Sequence, residues 1–256
     1  MLVLLPPSEG KTQAPDGADP VELASLSSPG LMATRSSVLA ALRAVSARAD
    51  ALEVLGVSEG LAAEVARNAG LDSAPAGPAR AVYSGVLHSA AGLAALEGQA
   101  LDRAEEHVRI VSALWGVVTP LDRIPAYRLS MGTSLPPLGP LASLWRAPLR
   151  EVLEPLAADG LVVDCRSAPY QAAWRPGRSA QWVTVRVTRA GKVVSHHAKH
   201  TRGVLTGHVL ARTESVPTSP DELLDAALEL VAAGLVRGAI LARGPRGQHV
   251  LELEVD

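Results

Sequence analysis

The chain has 256 residues, 48% of them hydrophobic, and a formal net charge of −2 at pH 7. That length and apolar share suffice for the core of one α/β-type domain, and the near-neutral balance argues against a protein coated in nucleic acid. A single cysteine, Cys165, excludes an intramolecular disulfide and a zinc site built on paired cysteines.

Met1 to Leu5 is a short apolar run that meets Pro6 and Pro7. It lacks the basic region and longer apolar stretch of an export signal, so a cytoplasmic location is expected. No later segment approaches the roughly 18 to 20 uninterrupted apolar residues that span a bilayer, so no membrane partner is expected. The same opening run predicts a buried strand that feeds a loop over 6–12. Leu31, Val38, Leu39, Leu42 and Val45 recur at helical spacing and predict an amphipathic helix with its arginines outward. Residues 52–70 read as two short helices around Gly56, Val57 and Ser58, with Ser58 as N-cap and Gly70 as stop. Pro75 to Pro78 reads as a linker, 80–96 as one further helix, and the apolar run 108–118 as a strand with a turn at Gly116.

Residues 143–158 are helical in pattern and 161–165 form a short buried strand. Val183, Val185 and Val187 alternate with polar neighbours and the chain turns at Gly191, which predicts a hairpin with one core face and one basic face. Helices follow over 201–212 and 220–233, the second capped by Ser219 or Asp221. A closing hairpin pairs 236–242 with 249–255. Strands and helices mixed irregularly give the fold class α+β, a single domain over 1–256 with one mixed sheet flanked by helices.

Three segments carry residue types suited to chemistry. The loop Pro6-Pro7-Ser8-Glu9-Gly10-Lys11-Thr12 ends in Gly-Lys-Thr, yet a Walker-type loop needs a glycine where Leu5 stands, and two prolines remove amide donors. Lys11 beside Glu9 at a strand end can still bind an anion or serve as acid or base, the bland alternative being a capped surface loop. Next, 107–132 gathers Asp122, Arg123, Tyr127 and Arg128 around Pro120 and Pro125, which stiffen the backbone. Its structural reading is a salt bridge from Asp122 to an arginine. Finally, 194–207 sets Lys199 and Arg202 three positions apart on one helix face, either a solvated surface or a ligand wall. His196, His197 and His200 share that stretch, but no nearby carboxylate completes a metal site, so no metal or organic cofactor is assigned. Cys165 reads as a small buried residue.

Charge is unevenly spread. From Cys165 to Arg212 there are nine basic residues, four histidines and no Asp or Glu, leaving 15 basic against 26 acidic elsewhere. A local field of that sign suits an anionic partner.

Read in order, LLPPSEGKT, VYSGVL, HVRIVSALWGVVTPLDRIPAYRLSMG, the 164–170 segment, HHAKHTRGVLTG and the final hairpin resemble the YaaA family of peroxide-stress proteins nearly end to end. The resemblance implies a role in surviving hydrogen peroxide by limiting DNA damage and unincorporated iron. It also implies an α+β fold with a helix-hairpin-helix unit, here about 52–70, and a positively charged cleft that binds DNA. On that carry-over Lys11, Tyr83, Asp122, Tyr127, Arg128, Lys199 and Arg202 line or support the cleft. The chain departs from the pattern where Ser58 replaces a hairpin glycine, where Glu59 and Glu64 would repel phosphate, and where Pro169 interrupts the segment after Asp164.

Three functions are weighed. A protein binding double- or single-stranded DNA, or a nucleotide-like anion, would use Ser8, Lys11, Tyr83, Tyr127, Arg128, Lys199 and Arg202, with Trp174 or Trp182 stacking on bases. An enzyme acting on a nucleobase, nucleoside or damaged nucleotide would draw on Glu9, Lys11, Asp122 and Lys199 as catalytic groups. An iron-binding or interaction module would use His196, His197 and His200. The first two require Lys11, Arg128 and Lys199 to converge on one concave surface.

Overall fold

The computed structural model describes residues 1–194 and 196–256, with Val193 and His196 described by backbone alone. Its centre is a mixed sheet in the order Gly238–Arg243, His249–Val255, Gln181–Arg189, Leu161–Asp164, Leu2–Leu5, Val108–Ser112, Gly116–Val118, and the short strand Lys192–Val193 pairs with Gln181–Arg189. The five inner strands run parallel, and both edges are antiparallel hairpin returns. Parallel strands are covered on both faces and so are apolar throughout. Leu2 to Leu5 and Leu161 to Asp164 are accordingly buried at every position.

The expected α+β fold with one mixed sheet is therefore present. The predicted first strand, the 236–255 hairpin and the 220–233 helix are found within a residue or two of expectation, and Ser219 caps the last by accepting from the Glu222 amide at 3.2 Å. The 201–212 helix starts earlier, at His196. The linker at 75–78 contains a two-residue strand, Gly77–Pro78, paired with Arg123–Ile124.

Three expectations are corrected. Residues 80–96 do not form one helix; they break into Ala79–Val82, Val86–Ala90 and a 3-10 turn at Leu93–Ala95. Gly85 sits at the break, where a Cβ would lie 2.7 Å from that of Ser8, so a close approach of two loops overrides helix propensity. The arginines of helix Met32–Ser46 are not all outward. Arg35 is fully buried and donates to the carbonyls of Trp115 and Val117 at 2.9 and 2.7 Å, tying the helix to the 108–118 hairpin. Ser58 has the extended backbone of an N-cap, but its hydroxyl makes no capping bond.

Residues 51–70 form the expected two-part unit. Helix Ala51–Leu55 ends on Gly56, whose φ of 65° is the left-handed stop, and the chain resumes through Glu59–Leu61 into helix Ala62–Arg67.

Candidate functional site

Ligands in open α/β sheets bind in the crevice beyond the carboxyl ends of parallel strands, where neighbouring connections diverge. Here Leu2–Leu5 runs into the 6–12 loop and Leu161–Asp164 runs into Cys165 and Ser167, and both loops border one cavity of about 650 Å3. The turn at Leu55 to Ser58, the 85–88 segment, the 128–130 segment and the face of helix His196–Ala211 that carries Lys199 and Arg202 complete it. Residues far apart in sequence, Lys11, Arg128, Lys199 and Arg202, thus share one concave surface.

Lys11 is pinned by its main chain: it bridges to Tyr83, and the Thr12 amide donates to Val82 O at 2.9 Å. Its Nζ donates to Ser8 O at 2.7 Å and lies 4.2 Å from the centre of the Tyr127 ring and 5.7 Å from that of Tyr83. Burial, and then repulsion from Arg128, lowers its pKa from 10.5 to about 7, while Glu64 and Glu9 oppose the shift. Beneath it the hydroxyls of Tyr83, Tyr127 and Ser112 form a buried chain, with 3.0 Å between the tyrosines and 2.7 Å from Tyr127 to Ser112. Burial raises both tyrosine pKa values, so these hydroxyls remain neutral supports.

Arg128 is held from two sides. Its Nη2 and Nε donate to Glu64 Oε2 at 2.5 and 3.0 Å, and Asn68 bonds both its amide and its carbonyl at 2.9 Å. Lys199 lies over the mouth with its Nζ 3.6 Å from Glu9 Oε1, both side chains largely exposed. Arg202 spends Nε and Nη2 on the carbonyl of Val185, at 3.0 and 2.7 Å, which seats its helix on the sheet. That helix also approaches Val86–Ala90 closely: a Cβ on Gly203 would lie 2.2 Å from Leu87 O.

The other expected residues fall differently. Ser8 lines the cavity and its hydroxyl turns back to Gly10 O. Among the described residues Asp122 does not border the cavity and makes no arginine salt bridge. It accepts from the Ser27 amide at 2.8 Å, the Ser27 hydroxyl and the Thr119 amide at 2.8 Å, which is a loop cap. The acid-free stretch 165–212 is not one basic wall, because acids outside it, the adjacent Asp164 and the distant Glu252 and Glu229, pair with its arginines. Arg166 pairs with Asp164 inside the protein, Arg186 with Glu252 and Arg212 with Glu229. Trp174 is buried and bonded to Glu154, and Trp182 borders a separate groove, so neither reaches the cavity to stack on a base.

Cys165 is buried as expected, and burial pushes its thiol up to about 11. Among the described residues no group of three or more His, Cys, Asp or Glu is placed to hold a metal, and the side chain of His196 lies outside them.

Sequence reasoning missed His88, Asn68 and Tyr170. His88 borders the cavity, its Nε2 lies 2.9 Å from Pro6 O, and burial lowers its pKa to about 4, so the imidazole is neutral. Its place directly after VYSGVL was the available signal.

Comparison with known proteins places this arrangement. The sequence pattern of the family described as "Peroxide stress protein YaaA" matches residues 1–229. The chain belongs to the YaaA family. A UPF0246 protein of Streptomyces coelicolor is 50% identical over 236 residues, covering 90% of each chain. Another from Corynebacterium glutamicum is 40% identical over 264 residues and covers both chains completely. One from Burkholderia lata is 30% identical over 247 residues, with 90% of this chain and 92% of the relative covered. The YaaA pattern thus takes in every cation of the cavity and stops within the helix Pro220–Ala232, short of the closing hairpin. No helix among the described residues is long and apolar enough to cross a membrane.

Proposed function

We propose that this YaaA-family chain acts in the peroxide response by binding DNA at the cavity, with one nucleotide unit drawn into it. What supports the reading is the gathering of Lys11, Arg128, Lys199 and Arg202 around a single opening, against Glu9 and Glu64 as the acids nearest them. At about 650 Å3 the cavity suits a sugar with its phosphates and is far too small for a duplex. Helix-hairpin-helix contact is part of the reading, since the Leu55–Ser58 turn forms one rim. Glu64 does not oppose it as the sequence suggested, because its charge is spent on Arg128.

Three to four phosphate contacts give log affinity a slope of about −3 against log salt, so affinity for duplex DNA falls roughly 50-fold between about 50 and 200 mM salt. Fluorescence anisotropy with a labelled duplex measures this. Binding that is flat across that range would sink the reading.

A second reading, an enzyme acting on a damaged nucleotide in the same cavity, is favoured by Lys11, whose amine is substantially unprotonated near pH 7.

A further inference from the structure

Among the described residues the polar lining of the cavity is made of cations, serines, Cys165, Glu9, His88 and Tyr170, without Asn, Gln, Asp or Trp. Reading a flipped base takes edge-on hydrogen-bonding partners, and here no side-chain amide is present and the Glu9 carboxylate is turned to Lys199 at the mouth. A lining of cations and hydroxyls fits sugar and phosphate instead.

We propose that Lys11 forms an imine with the C1′ aldehyde of the ring-opened deoxyribose that base loss leaves in DNA. This rests on the DNA reading above and names the substrate of the second. Lys11 is positioned by main-chain carbonyls and a tyrosine face, and among the described residues it has no ion-pair partner to occupy its nitrogen. Desolvation beside Arg128 supports the same role by supplying neutral amine at physiological pH. Arg128 keeps Nη1 free of protein partners among the described residues, as does Arg202, and Lys199 covers the mouth, so three cations remain for the flanking phosphates.

The step balances without a redox partner. The Nζ lone pair adds to C1′, the C=O π pair moves to oxygen, and that oxygen takes a proton as nitrogen releases one. The carbinolamine then loses its hydroxyl as water, with a second proton, leaving C1′=Nζ. One amine and one aldehyde give one imine and one water. The protons pass between nitrogen, oxygen and water, and Glu9 borders the cavity with its carboxylate 3.6 Å from Lys199 Nζ at the mouth.

Borohydride trapping tests this on the full chain, using a duplex with one abasic site and the same duplex intact. Sodium borohydride should convert the imine to a stable amine, giving a covalent adduct on a denaturing gel with the abasic duplex only. Peptide mass spectrometry should locate it at Lys11, one of only three lysines, the others being Lys192 and Lys199. Lys11→Ala should lose the adduct and Lys192→Ala should retain it in full. Because the wild-type adduct is mapped directly, a poorly folded Lys11→Ala does not blunt the test. An adduct on Lys192, Lys199 or the amino terminus overturns the proposal. So does retention of the abasic duplex on a native gel without any adduct, an outcome that spares the DNA reading. Failure to retain either duplex, with no adduct, sinks both.

Discussion

Asn68 grips the main chain of Arg128 from both directions, its Oδ1 accepting from the Arg128 amide and its Nδ2 donating to the Arg128 carbonyl, each at 2.9 Å. The second half of the 51–70 unit therefore places a cavity cation, independently of any contact its turn makes with a ligand. Asn68 is fully buried, so Asn68→Ala strands two polar main-chain groups. A loss of about 2–3 kcal/mol in urea unfolding is expected, together with weaker duplex binding as Arg128 loses its seat. Unchanged binding in the folded variant would show that Arg128 needs no such clamp.

Glu64 restrains the same arginine by charge. Glu64→Gln removes the acid that pairs with Arg128 and also one that raises the Lys11 pKa. Two opposite effects should appear in one variant. Duplex affinity at low salt should rise by roughly three- to tenfold as the guanidinium becomes available, while stability falls by about 1–2 kcal/mol from the lost charged hydrogen bonds. A variant that binds DNA less tightly would mean that the pair, rather than the free cation, forms the binding surface.

Asp122 separates a structural role from a catalytic one. Its carboxylate caps Ser27 and Thr119 away from the cavity. Asp122→Ala should cost about 2–3 kcal/mol in chemical denaturation, yet leave DNA affinity and any borohydride adduct of the folded protein at wild-type levels. Loss of the adduct with the fold intact would return Asp122 to the reacting groups.

Lys11 predicts a particular pH dependence. Its folded pKa of about 7 lies below the unfolded value of 10.5, so between those values the unfolded chain binds more protons. Stability contributed by this group therefore rises as pH increases from about 7 towards 10.5, and below pH 7 the cost of a buried ammonium is fully present. Lys11→Met should flatten that rise in a comparison of melting temperatures between pH 7 and pH 9. Cyanate carbamylation of Lys11, followed by mass spectrometry, should titrate with a midpoint near 7. A midpoint near 10.5 would mean that the amine is solvated and would remove the support from its electrostatics.

Local pattern made much of the fold readable. The unbroken apolar run 2–5, the alternation at 183–187 and the cap at Ser219 each depend on neighbours in sequence, and each element formed. Long-range approach explains the misreadings. The 80–96 helix breaks because Ser8 leaves no room beside Gly85, and Arg35 turns inward because its guanidinium donates to two carbonyls of the 108–118 hairpin. Among the candidate residues Lys11, Arg128 and Lys199 were recognisable from stiff loops and a shared helix face. Asn68 and His88 were not, since each acts through a partner 60 or 82 positions away.

From the sequence alone came the family, the mixed α+β sheet and the set of cations in play, because motif order and hydrophobic period are properties of the chain itself. Only the tertiary structure decided which cations share the cavity. Glu229 and Glu252 come to Arg212 and Arg186 from distant parts of the chain, Asp164 pairs with Arg166 from two positions away, and Lys11, Arg128, Lys199 and Arg202 gather around the cavity, Arg128 beside Glu64 and Lys199 beside Glu9. Charge counted along a sequence ignores the acids that folding brings beside it, and electrostatic attraction acts over distances in space.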